Sequence, residues 1–89
     1  MLRREIEVIN KLGLHARAAA KLVKAAAQFD ADIRLSHKGR EVDGKSIMGV
    51  MMLAAAQGAH IELEISGSEA DAAMTAIVAL FESRFDEDE

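Results

Sequence analysis

Apolar residues switch repeatedly between a spacing of two and a spacing of three or four along this chain, so it must build short strands and short helices around a shared core. Glu5, Ile6, Glu7 and Val8 alternate and set Ile6 and Val8 on one face of a first strand. Asn10-Lys11-Leu12-Gly13-Leu14 reads as a loop. Ala19, Leu22, Val23, Ala26 and Phe29 then recur at helical spacing with Arg17, Lys21, Lys24 and Gln28 opposite them, which predicts an amphipathic helix. Ile33 and Leu35 begin a second strand, Gly39 supplies a turn, and Glu41-Val42-Asp43 returns as the other arm of a hairpin. Ser46 stands where it can cap a short helix carrying Ile47, Val50, Met51 and Ala54, although Gly49 weakens that helix. Ile61, Leu63 and Ile65 alternate with His60, Glu62 and Glu64 in the cleanest strand, so one face of the sheet should stay wet. Ser68-Glu69-Ala70-Asp71 has the form of a capping box, and a buried stripe of Ala70, Ala73, Met74, Ile77, Leu80, Phe81 and Phe85 follows it. The resulting order is β-α-β-β-α-β-α. It predicts an α+β fold, a four-stranded and mainly antiparallel sheet with three helices on one face. A ferredoxin-like arrangement shares most of that order, so periodicity alone leaves both open.

With 89 residues and 9.6 kDa the chain has room for one domain spanning 1–89. Residues 86–89, all acidic, are expected to fray, because they gather negative charge where the dipole of the last helix is already negative. Hydrophobic residues at 51% and charged ones at 29% describe an ordinary soluble globule rather than a disordered chain. Phe29, Phe81 and Phe85 are the only aromatic residues, so the core must be aliphatic and no base-stacking platform exists. Together with a formal net charge of -4, this argues against a nucleic-acid partner. The absence of cysteine closes thiolate catalysis and sulfur-based zinc sites and fits a reducing cytoplasm. No stretch approaches the ~20 apolar residues that a membrane span needs, so no membrane insertion is expected. A monomer is the default.

His15 stands just ahead of the first helix, where unpaired N–H groups and the positive end of the dipole make an anion site. That positive end disfavours a second positive charge and keeps a neutral ring nitrogen available as a nucleophile. Arg17 can offer guanidinium hydrogen bonds to phosphoryl oxygens, and Gly13 permits a close backbone approach at this corner. His37 belongs to the hairpin and His60 to the wet side of a strand. Neither makes metal-ligand spacing with His15, and nothing calls for a metal or cofactor. No serine-histidine-acid set is spaced for hydrolysis, so an enzyme is not expected.

The segment Gly13-Leu14-His15-Ala16-Arg17-Ala18-Ala19-Ala20-Lys21-Leu22-Val23 resembles the active-site motif of the HPr family, the histidine phosphocarriers of the bacterial phosphotransferase system. Lys45-Ser46-Ile47-Met48-Gly49-Val50-Met51-Met52-Leu53 resembles that family's regulatory-serine region, and the two segments lie at the family's separation. The resemblance spans essentially the whole chain and implies an open-faced β-sandwich. It also implies that His15 takes a phosphoryl group on Nδ1 from enzyme I, with phosphoenolpyruvate as the original source, and passes it to a downstream phosphotransferase-system domain. Ser46 would be the target of an HPr kinase/phosphorylase, with its phosphate meeting the helix N-terminus and Lys45.

Partner docking is implied on the second helix. A short helix cannot bury every side, so Ile47, Met48 or Met52 should leave an apolar patch, with Leu14 adding to it. Met51 carries the family's docking precedent too, though core packing is the stronger reading for it. Lys21 and Lys24, otherwise the solvated face of the first helix, can steer an acidic partner surface towards His15. Ala18 replaces the proline of many sugar-transport members, and the alanine run resembles the nitrogen-related branch; Ser46-Ile47-Met48-Gly49 leans towards the kinase-regulated branch. The alternative from another class is a ferredoxin-like interaction module without covalent phosphoryl transfer, which would leave both segments as coincidence.

Overall fold

The computed structural model describes residues 1–87. Its elements follow the alternation of spacing: strand β1 (Leu2–Glu7), helix α1 (Ala16–Ala26), strands β2 (Asp32–His37) and β3 (Arg40–Asp43), helix α2 (Ile47–Met52), strand β4 (His60–Ser66) and helix α3 (Ala70–Glu82). A single 3-10 turn, Arg84–Asp86, follows α3. The strands form one sheet in the order β1-β4-β2-β3 with every pair antiparallel.

Register explains why one face of the sheet is apolar. Ile6 lies opposite Ile61, and Ile33 and Leu35 lie opposite Ile65 and Leu63, so all six point to the same side and are buried there. The other side is a charged ladder in which Arg3 pairs with Glu64 and Glu5 faces Glu62. The helices cover only the apolar side. Leu22 and Ala26 of α1, Val50 of α2, and Ile77 and Phe81 of α3 are fully or almost fully buried against it.

Besides β1, which ends before Val8, and α2, which ends before Ala54, three boundaries differ from the periodicity. Helix α1 stops at Ala26, and Phe29 packs half-buried from the turn beyond it. At the start of α3 the expected capping box does not form. Glu69 occupies the cap without a side-chain cap bond, because its carboxylate accepts from the Asp30 N–H at 2.6 Å. The Ser68 hydroxyl donates to the Asp30 carboxylate at 3.0 Å. These side chains tie α3 to the loop before β2 instead of to its own first turn.

The third difference lies after α3. Phe85 is not on the helix; it leaves at a left-handed turn, with φ of 57°, 54° and 61° at Arg84, Phe85 and Asp86, and folds back into the core. Its ring meets Phe81 edge-on at 4.9 Å. Of the stretch 86–89 expected to fray, Asp86 closes the 3-10 turn and Glu87 is seated against the molecule. Residues 88 and 89 lie outside the described residues.

Candidate functional site

His15 is the N-cap of α1, extended at φ -75° and ψ -179°, while its carbonyl already accepts the first helical bond from Ala19 N–H at 2.8 Å. The loop that delivers it turns at Gly13, whose φ of +68° sits in the left-handed region. A Cβ on Gly13 would come within 2.5 Å of the Ala55 carbonyl oxygen, so the loop can press against the segment after α2 only with glycine here. Leu14 N–H donates to that same carbonyl at 2.9 Å. Leu14 itself is 5% exposed. It anchors the loop in the core and offers no surface to a partner, which corrects its expected docking role.

Both ring nitrogens of His15 have a neighbour. Nδ1 accepts from the Arg17 backbone N–H at 3.3 Å, facing the open end of α1. Nε2 meets the Glu87 carboxylate. A neutral ring protonated on Nε2 satisfies both contacts at once, since Nδ1 then accepts while Nε2–H donates to Glu87. The unshared pair of Nδ1 is thus presented where the first-turn N–H groups and the dipole favour a negative group. The ring borders an open depression formed with Lys11, Leu12, Ala16, Arg17 and Asp86. Arg17 is exposed at its rim.

Glu87 and Asn10 belong to the same arrangement, and sequence reasoning did not single them out. Asn10, 1% exposed, donates from Nδ2 to the Gly13 carbonyl at 2.8 Å and to the Glu87 carboxylate at 3.1 Å. Burial opposes ionisation of Glu87, but hydrogen bonds from His15 and Asn10, reinforced by the Lys21 ammonium and by His15 whenever that ring is charged, outweigh it and hold the carboxyl below its ordinary range. For Asn10 a signal existed: a loop asparagine three residues before glycine is the type that ties back its own backbone. For Glu87 there was none, because its neighbours lie far away in sequence.

The remaining expected site residues fall into two groups. Lys21 is not a free steering charge, because its ammonium donates to the Phe85 carbonyl at 2.6 Å and lies 4.0 Å from Asp86. Lys24 is exposed. Ser46 caps α2 as expected, its hydroxyl oxygen accepting from Gly49 N–H at 3.1 Å. Lys45 beside it donates to the Phe29 carbonyl at 2.9 Å. On α2, which packs against α1, Ile47, Met48, Met51 and Met52 are all exposed, Met51 at 41%, so the core reading of Met51 is corrected. Val50 alone faces inward on that helix. The loop residue Leu12, 67% exposed, adds an apolar side chain beside His15 where Leu14 was expected to do so.

Among the described residues no group of three or more acidic or histidine side chains could hold a metal ion, and no helix is long and apolar enough to cross a membrane.

Residues 2–83 match the family described as "PTS HPr component phosphorylation site". The phosphocarrier protein HPr of Xylella fastidiosa is 57% identical over 88 residues, which cover 99% of each chain. Among solved structures, HPr-C-His from Thermoanaerobacter tengcongensis superposes with a TM-score of 0.96 at 40% identity, over 100% of both chains. An HPr dimer from the same organism gives 0.79 at 41% identity, over 98% of this chain and 100% of the other. The sheet order, the three helices on one face and the two matched segments thus go together, and the ferredoxin-like alternative is not favoured. The chain belongs to the HPr family, the non-enzymatic phosphoryl carriers of the bacterial phosphotransferase system.

Proposed function

We propose that His15 is the phosphoryl acceptor of this carrier and that Nδ1 is the atom that bonds phosphorus. The supporting observation is the orientation of the ring, with Nδ1 over the open N-terminus of α1 and Nε2 engaged on the far side. In the transfer the Nδ1–phosphorus bond forms as the donor's bond to phosphorus breaks, and the donor's leaving atom keeps the electron pair. The Nε2 proton stays on the ring. Arg17 N–H, released from Nδ1, then has a phosphoryl oxygen to donate to, and the Arg17 guanidinium at the rim neutralises the arriving charge. Onward transfer reverses these steps, which an open site with one arginine permits.

Enzyme I is the donor in this reading and a downstream phosphotransferase-system domain the recipient, both in the cytoplasm, with the chain acting as a monomer. Ile47, Met48, Met51 and Met52 supply the apolar part of the docking surface, and flexible thioethers suit a face that must fit more than one partner. Ser46 is the regulatory position for an HPr kinase/phosphorylase. A phosphate there would set negative charge beside the docking methionines and weaken the encounter.

Incubation with enzyme I and labelled phosphoenolpyruvate tests the assignment. The label should be acid-labile, as histidine phosphate is and serine phosphate is not, and His15→Ala should abolish it. Label that persists in His15→Ala rules the assignment out.

A further inference from the structure

We infer that Glu87 is a positioning residue for phosphoryl transfer: its carboxylate holds the His15 ring in the tautomer and orientation that present Nδ1 as the nucleophile. This rests on His15 being the acceptor, and it goes further by giving a task to a segment that neither matched motif includes. The match to the family's phosphorylation-site description ends at residue 83, four residues before Glu87, although the HPr of Xylella fastidiosa aligns over 99% of this chain.

The geometry that carries it is a chain of contacts in which each group has a single role. Glu87 lies against Nε2 of His15 through one carboxylate oxygen and accepts from Asn10 Nδ2 at 3.1 Å through the other. Asn10 in turn holds the Gly13 carbonyl at 2.8 Å, so the same carboxylate is tied to the loop that delivers His15. Both of its neighbours are donors. A carboxylate, which only accepts, is the side chain that satisfies the two together. The Glu87 side chain is only 12% exposed and that of His15 28%, so water competes poorly for this contact while the Nδ1 edge still opens to a partner.

The placement of Glu87 is itself well supported. The buried Phe85 pins the turn two residues earlier, and Lys21 of α1 holds the Phe85 carbonyl at 2.6 Å. The charged groups facing this corner are Lys21, Asp86, Lys11 and Arg17. Two consequences follow for the transfer. Before it, an Nε2–H donated to Glu87 leaves the unshared pair on Nδ1. During it, the ring gains positive charge as Nδ1 bonds phosphorus while Nε2 keeps its proton, and the adjacent carboxylate stabilises that charge. The incoming phosphoryl group lies on the opposite edge of the ring, away from the carboxylate.

The test combines nitrogen NMR of the His15 ring, at about pH 8.5 where an ordinary imidazole is neutral, with phosphorylation rates for the full chain and its Glu87→Ala, Glu87→Gln and Glu87→Asp variants. In the unsubstituted protein the Nε2–H tautomer should dominate. Glu87→Ala should shift the ring towards a mixture and slow phosphorylation roughly three- to tenfold, with the backbone spectrum unchanged away from residues 10–17. Glu87→Gln, one acceptor oxygen facing two donors, should resemble Ala, and Glu87→Asp should recover part of both readouts. An identical tautomer ratio in Glu87→Ala, or an unchanged rate despite an altered ratio, overturns this role and leaves His15 as the acceptor. Failure of the unsubstituted protein to take label overturns the acceptor assignment, and the positioning role with it.

Discussion

Gly13 shows how one residue sets the direction of the loop that delivers His15. In Gly13→Ala the new methyl would meet the Ala55 carbonyl oxygen at 2.5 Å, on a backbone already at φ +68°. A loss of about 1–3 kcal/mol is expected, read as a lower midpoint in thermal unfolding. Glu87 gives a prediction of another kind, a stability contribution that acid removes. Its folded-state carboxyl is held below the value it has when unfolded, so its stabilisation is complete above about pH 5 and vanishes as the pH drops through the lowered value. The stability gap between the unsubstituted protein and Glu87→Gln should therefore be present at neutral pH and narrow progressively as the pH is taken below the ordinary carboxylate value of 4.5, measured by urea unfolding across that range. His15 was legible in the sequence because its neighbours are local: a glycine turn, an arginine two residues on, and the start of a helix. Its partner Glu87 was not, since 72 residues separate them and only the tertiary fold brings them together. The acidic run was read as a fraying tail, yet Glu87 is seated against Asn10 and His15, because the chain turns back where Phe85 enters the core.

At the scale of elements, the helices were legible wherever a stripe met a sheet and misread where a side chain had a competing partner. The α2 cap formed as its local sequence suggests, with the Ser46 oxygen accepting from Gly49 N–H three residues on. Ser46→Ala should accordingly cost about 1 kcal/mol, while Ser46→Asp should keep the cap and slow His15 phosphorylation, a split that unfolding and labelling together resolve. The α3 cap failed because Asp30 presents its backbone N–H and carboxylate to Glu69 and Ser68. Met51 was misplaced for a geometric reason: a six-residue helix touching the core through Val50 has one inward position, not a stripe. The turn after α3 depends most on tertiary packing. Phe85→Ala removes a fully buried ring packed edge-on against Phe81 and should cost about 3–5 kcal/mol. It should also loosen Glu87, so the His15 ring signals should move although the substitution lies outside the site.

For the molecule as a whole, alternation told which residues face the core but not which strands are neighbours. Ile61, Leu63 and Ile65 are all buried because β4 lies inside the sheet, between β1 and β2. A central position is consistent with their regular pattern, yet the same pattern would suit an edge strand with one covered face. The whole-molecule charge of -4 would repel an acidic partner at a distance, and it is the exposed Arg17 and Lys24 of α1 that can reverse the sign locally. Phosphorylation by enzyme I should therefore quicken several-fold between roughly 500 mM and 25 mM salt, and a rate indifferent to ionic strength would remove the steering role.

Since every helix lies over one side of the sheet, the opposite side is spare ground. Glu5 and Glu62 face each other there, both exposed and both acidic, on the side away from His15 and the methionines of α2. A fluorophore or a tether grafted onto that rear surface could follow the relay in progress while leaving its working front untouched.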